Sequence, residues 1–148
     1  MSDMLDGWRL KEAVEALMAF KGFQLVAAMI TVSELGDLHR FAHPRQLMGY
    51  LGVVPNEQST GTSRRQGAIT KCGNPHLRWL LSECSQHYAK PPKVSKELSR
   101  RQQGQSQRIK RISWKAQCRL SSKFARLTAR RIHRNKALVA VSRELLGF

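Results

Sequence analysis

Residues 20–35 read FKGFQLVAAMITVSEL, and their reading decides the fold. Leu25 to Leu35 is apolar on nearly all sides, as a central helix buried by its neighbours would be. Gly36-Asp37 closes that helix. Upstream, Leu10, Ala13, Val14, Leu17 and Phe20 recur at helical spacing and give an amphipathic helix that ends near Lys21-Gly22. Only a few residues separate the two, so they form a helical hairpin. Gly22 sits where the tight turn needs it, and Ala27 allows the helices to approach closely.

Outward from this hairpin, helical periodicity continues. A short segment, DLHRFAH, leads to Pro44 as the first residue of a third helix that ends at Leu51-Gly52. Asn74 then reads as an N-cap with Pro75 at the first helical position. Leu77, Leu80, Leu81, Cys84 and Tyr88 form the apolar stripe of that helix, which stops before Pro91-Pro92. A polar basic helix (93–103) is broken by Gly104. The longest helix spans roughly 106–131, with Ile109, Ile112, Ala116, Leu120, Phe124 and Leu127 on one face. Arg108, Arg111, Lys115, Arg119, Arg126 and Arg130 keep a similar spacing about 100° around the same helix. A last helix covers 136–146. The expected class is all-α: a core domain at 1–90 containing the helical hairpin, and a basic helical extension at 91–148. Between the third and fourth helices, VVPNEQSTGTSRRQGAITKCG (53–73) lacks helical periodicity for about twenty residues and reads as a long functional loop, with room for a short strand or hairpin at 66–71.

Charge is distributed very unevenly. Residues 1–54 hold six acids and five bases, for a net of −1, whereas residues 55–148 hold twenty-one bases and four acids, for a net of +17. A near-neutral first third and a strongly cationic remainder call for a polyanionic partner, since Lys and Arg neutralise phosphate. With 41% hydrophobic residues the 148-residue chain can bury a core, so wholesale disorder is excluded. No run approaches eighteen apolar residues, and the start MSDMLDGWRLKE lacks the basic and apolar regions of a signal peptide. Cys72, Cys84 and Cys118 do not suggest a disulfide framework. These features point to a cytoplasmic, nucleoid-associated protein with no membrane partner.

Three constellations carry chemistry. The 20–27 segment looks like a helix-hairpin-helix element, which grips phosphates through backbone N–H groups. The usual second glycine is Gln24 here and only Lys21 adds charge, so packing is the favoured role and phosphate contact through Lys21 and Gly22 the alternative. In the second, Ser59-Thr60-Gly61 is followed by Thr62, Ser63, Arg64 and Arg65, and then Lys71. A hydroxyl attacking a phosphodiester needs its rising charge offset, which flanking guanidiniums supply, while Gly61 lets a strand approach the backbone. Composition alone favours the plainer role, hydroxyls that only donate hydrogen bonds to phosphate. The third is a zinc site written from Cys72, His76, Cys84 and His87. It is disfavoured because Cys84 belongs to an apolar stripe and no Cys-x2-Cys knuckle is present. Converging carboxylates for a two-metal site are missing as well. Trp8, Trp79 and Trp114 could stack bases, but at helical positions among apolar neighbours they read as core.

With these segments in place, the chain resembles the C-terminal transposase domain of the insertion-sequence 110/116/902 family. The resemblance rests on LMAFKGFQLVAAMITVSELGDLHRF (17–41), PRQLMGYLGVVPNEQSTGTSRRQGAITKCGNPHLRWLL (44–81), VSKELSRRQ (94–102) and ISWKAQCRL (112–120), so it spans nearly the whole chain. In that family a helix-hairpin-helix region, an LGLVPSE-x-SSG element and an RRQG-x-ITK-x-GN-x-x-x-R element follow one another. The resemblance implies an RNA-guided DNA recombinase with a composite active site. An N-terminal RuvC-like domain supplies carboxylates in a DEDD arrangement that hold a divalent metal, Mg2+ by expectation. The C-terminal domain supplies a serine nucleophile that becomes covalently linked to DNA.

In this chain the Ser-Ser-Gly element is Ser59-Thr60-Gly61, which makes Ser59 the nucleophile, or Thr60 if the chemistry needs the second position. Arg64, Arg65, Lys71, Asn74 and Arg78 match the surrounding basic pattern and are assigned to phosphate, as are Arg108, Arg111, Lys115 and Arg119 of the long helix. The chain begins where the family would be past its carboxylates, so an isolated domain, a truncated product or a split partner is expected. Its partners would be DNA, a structured guide RNA and the RuvC-like domain or a full-length transposase. The family works as an assembly of several subunits, so self-association through the long helices is a further option. No cofactor is expected on this chain itself. The alternative from another class is a non-catalytic DNA- or RNA-binding module that kept the fold. A basic ribosome-associated protein is a third reading, for which charge alone argues.

Overall fold

The computed structural model describes residues 8–60 and 63–148, and for 58–60 and 63–66 the backbone alone. Among the described residues the chain is mostly helical. The helices are α1 (Lys11–Met18), α2 (Leu25–Leu35), α3 (Pro44–Tyr50), α4 (Pro75–Gln86), α5 (Lys96–Arg101), α6 (Gln107–Ala129) and α7 (Arg134–Leu145). A two-stranded antiparallel sheet, β1 (Pro55–Thr60) and β2 (Ser63–Ile69), stands between α3 and α4. The 53–73 segment is therefore largely a β-hairpin rather than a long loop. Its strand content begins well before residue 66.

The helix starts follow local chemistry. Pro44 and Pro75 occupy first-turn positions, and Asn74 Oδ1 accepts from the His76 and Leu77 amides at 2.9 and 3.3 Å. Ser95 and Ser106 cap α5 and α6 by accepting from Leu98 N and Ile109 N. No described helix is long and apolar enough to cross a membrane.

The main core draws on both sides of residue 90. Phe23, Leu35, Leu51, Leu77, Leu81 and Tyr88 meet Ala116 and Leu120 of α6 and Val141 and Leu145 of α7 in one apolar cluster. Val14, Ala28 and Val32 form a smaller cluster between α1 and α2, against which Trp8 packs. Helix α2 is less enclosed than its apolar sequence implies. Ala28, Thr31, Val32 and Leu35 are buried, but Val26 is 67% exposed.

Buried polar side chains tie the hairpin to the long helix. Ala19 O accepts from Ser113 Oγ at 2.8 Å and from Gln102 Nε2 at 2.9 Å, and Gln117 Oε1 accepts from Lys93 N at 3.1 Å. Buried acceptors left without such donors would cost about 1–3 kcal/mol each.

Glu144 joins α6 to α7 by pairing with Arg119 and Lys123. Burial alone would push its carboxyl up, but hydrogen bonds and charge from Lys123 and Arg119 outweigh burial and hold it below its ordinary 4.5. The pair therefore stabilises the folded chain in full above pH 4.5 and fades as pH falls through the lower folded value. Glu144→Gln is expected to cost about 1 kcal/mol at neutral pH. Denaturation midpoints should show that difference shrinking as the pH is lowered below 4.5.

Candidate nucleic-acid interface

The β-hairpin is anchored at its base by backbone bonds. Val53 N donates to Met48 O at the end of α3, Thr70 N to Val54 O, and Lys71 N to Gly52 O, at 3.0–3.1 Å. Above this base the register pairs Gln58 with Arg65, Ser59 with Arg64 and Thr60 with Ser63, after an irregularity between Pro55 and Glu57. Directly paired residues of antiparallel strands have Cα atoms about 4.5–5.5 Å apart. The two candidate hydroxyl residues therefore differ: an arginine lies across from Ser59 and a serine across from Thr60. Gly61 lies outside the described residues, as do the side chains of Ser59, Thr60, Arg64 and Arg65.

Two residues assigned to phosphate hold this base together. Arg78 Nη1 donates to Leu51 O at 3.2 Å and to Gly73 O at 3.1 Å, tying the end of α3 to the turn before α4. Asn74 caps α4 and donates its amide to the Glu34 carboxylate on α2. Glu34 also lies 2.6 Å from His76 Nδ1. Lys71 is exposed, with a left-handed backbone (φ 56°) that its contact with Gly52 fixes.

At the helical hairpin, Gly22 has φ +94°, and a Cβ there would sit 2.4 Å from Cys84 O of α4, so packing alone requires glycine. Lys21 Nζ donates to Pro91 O at 2.9 Å. Burial, and after it the charge of Lys90, lower its pKa. It borders a cavity of about 530 Å³ shared with His87, Lys90, Lys93 and Arg101. Burial, followed by the charges of Lys90, Lys21 and Arg101, likewise lowers His87. Arg101 is tied inward, donating to Met18 O and Phe23 O. Sequence reasoning assigned none of His87, Lys90 and Arg101 to a phosphate site, because only the fold brings them to Lys21.

On α6, Arg108, Arg111, Lys115 and Arg119 are all exposed, while Ala116 and Leu120 are buried on the neighbouring face. The first three turn to solvent, and Arg119 is engaged by Glu144. Two tryptophans expected in the core are not there: Trp79 is 58% and Trp114 47% exposed. Each sits one position away from its helix's buried stripe, which turns it about 100° off the packed face. Cys84 is locked in the apolar core, and burial, with the Glu83 charge, pushes its thiol up to about 11, a poor thiolate ligand. Among the described residues no three of His, Cys, Asp and Glu converge on a metal-sized site.

A helical core carrying a basic, hydroxyl-bearing β-hairpin and an arginine-lined long helix defines a small cationic domain suited to a polyanion. The chain belongs to the Transposase IS116/IS110/IS902 family, whose profile matches residues 14–100. It is similar to the putative transposase y4qE of Sinorhizobium fredii, 43% identical over 148 residues, all of this chain and 38% of that protein. It is also similar to a probable family 20 transposase of Pseudomonas aeruginosa, 37% identical over 68 residues (46% of this chain, 20% of that protein). A third relative is the transposase for insertion sequence element IS1111A of Coxiella burnetii, 32% identical over 73 residues (49% and 20%). The chain spans well under half the length of these curated relatives.

Proposed function

We infer that this chain is the DNA-contacting part of an insertion-sequence transposase and carries Ser59 as the nucleophile for strand cleavage and exchange. The observation that supports this reading best is the hairpin register, which sets Arg64 opposite Ser59. In the reaction the serine oxygen bonds to phosphorus, the phosphorus bond to one deoxyribose oxygen breaks, and the serine proton leaves to a base. The departing oxygen takes up a proton. The strand then remains as a serine phosphodiester, which a second strand's hydroxyl can attack to rejoin the DNA. An arginine beside the phosphorus offsets the charge that develops there.

The divalent metal implied by the family finds no converging set of ligands among the described residues, and Glu34 is held by Asn74 and His76, Glu97 by Arg100, and Glu144 by Arg119 and Lys123 of α6. We assign the metal-holding carboxylates to the RuvC-like domain that the resemblance implies, a partner of this chain alongside DNA and a structured guide RNA. Arg108, Arg111 and Lys115 run along the strand's phosphates, with Arg65 and Lys71 near the hairpin. The helical hairpin serves packing first, since Lys21 and Gly22 are engaged within the fold.

A salt titration of affinity for duplex DNA tests the interface. Each phosphate contact contributes about −0.9 to the slope of log K against log salt. Replacing Arg108, Arg111 and Lys115 by Gln should flatten the slope by roughly 3. An unchanged slope would remove α6 from the interface.

A further inference from the structure

We propose that the groove beside Trp79 holds one unpaired base of the DNA strand that runs onto the β-hairpin. This rests on the DNA-contacting reading above. Trp79 lies on α4 with Leu77, Leu80 and Leu81 buried around it, yet it is 58% exposed. This exposed indole lines a formed groove and offers a face on which a flat ring can stack. The ring is already oriented. It stacks on His76 with centroids 6.1 Å apart and planes 11° from parallel. His76 is in turn held by Glu34, which also takes the Asn74 amide. A pre-set aromatic platform is what sequence-tolerant stacking of a base requires.

The groove measures about 310 Å³. That is the small end of the roughly 300–1,000 Å³ range of ligand pockets and suits a single ring system. Val53, Ile69 and Val139 give it apolar walls, and Lys71 and Arg78 bring positive charge to it. None of the described residues lining it is acidic. Val53 and Ile69 also place it at the foot of the hairpin, and Ile69 pairs with Pro55 at the start of β1. At about 3.3 Å per residue, Ser59 lies about 13 Å further along that strand, a reach of a few nucleotides. The choice of DNA over RNA follows from the DNA-contacting reading, since Ser82, Lys71 and Arg78 of the groove offer polar partners to either sugar.

The test uses the intact chain with oligothymidylate, a duplex of equal length and oligouridylate as probes, read by binding and by tryptophan quenching. Trp79→Ala should weaken single-stranded DNA binding roughly tenfold and duplex binding less than twofold. Trp79→Phe should retain most of the affinity, and Trp114→Ala should leave the quenching intact. Circular dichroism melts of each variant report that the fold is kept. Equal weakening of single strand and duplex by Trp79→Ala, or none in either, overturns the proposal while leaving the DNA-contacting reading in place. Oligouridylate bound as tightly, with the same dependence on Trp79, overturns the choice of DNA. A parent chain that binds no DNA at all would bring down the underlying reading.

Discussion

Ser59→Ala is expected to abolish the covalent protein–DNA adduct while leaving reversible DNA binding unchanged. The measurement is a denaturing gel of labelled DNA with this chain and the carboxylate-bearing domain supplied separately. The effect should be at least about a thousandfold, because a nucleophile's oxygen has no substitute once removed. Thr60→Ala should retain the adduct within a few-fold. The distinction is physical. Serine offers a primary hydroxyl, whereas the β-branched threonine carries a methyl group on the carbon that bears the attacking oxygen and has restricted rotamers. The register adds a second difference, since Arg64 pairs with Ser59 and Ser63 with Thr60. Arg64→Ala should therefore slow adduct formation by about a hundredfold or more, the usual loss when one charge-stabilising donor is removed. Adduct lost in Thr60→Ala and kept in Ser59→Ala would move the nucleophile to Thr60. Adduct formed by none of the proteins, the parent included, would favour the non-catalytic binding module.

Much of the helical frame was legible because its signals are local. The apolar run 25–35 became α2 with those bounds, and Pro44, Asn74-Pro75 and Ser106 start their helices as read. The β-hairpin was harder to see. NEQST and SRRQGA are polar on both alternating positions, so no period-2 contrast of apolar and polar residues marks them as strands. Which basic side chains the fold engages internally was not legible. Charge pattern alone cannot tell an arginine that meets solvent from one that crosses the chain to carbonyl oxygens. Arg108 and Arg111 proved to be the first kind, Arg78 and Arg101 the second. Likewise, Trp79 is apolar in type, but more than half of its surface is left open by the described residues around α4. That is a property of the assembled fold and not of the 77–84 stripe.

The anchoring of the hairpin yields the second large effect. Gly52→Ala is expected to destabilise the chain by about 3 kcal/mol or more, seen as a melting point lower by roughly 10 °C. Gly52 has φ +65°, and a Cβ there would lie 1.9 Å from Cys72 O and 2.6 Å from Cys72 N. Both are backbone atoms, so no side chain can swing aside. Movement of the 70–73 segment would also break the Lys71 N to Gly52 O bond and the Arg78 contact with Gly73 O that hold the base closed. Gly104→Ala separates the two costs. Gly104 has φ +78°, but nothing lies within 4 Å of its Cβ position. It should show only the positive-φ penalty of about 1–2 kcal/mol. The excess in Gly52→Ala is then the cost of parting the two backbones, and it falls on the segment that carries Ser59. DNA binding through α6 should survive that variant below its melting point, whereas adduct formation should fall with the loosened hairpin. Equal losses of stability in the two alanine variants would mean that the 52–72 crossing yields easily, and that the hairpin is not held by it.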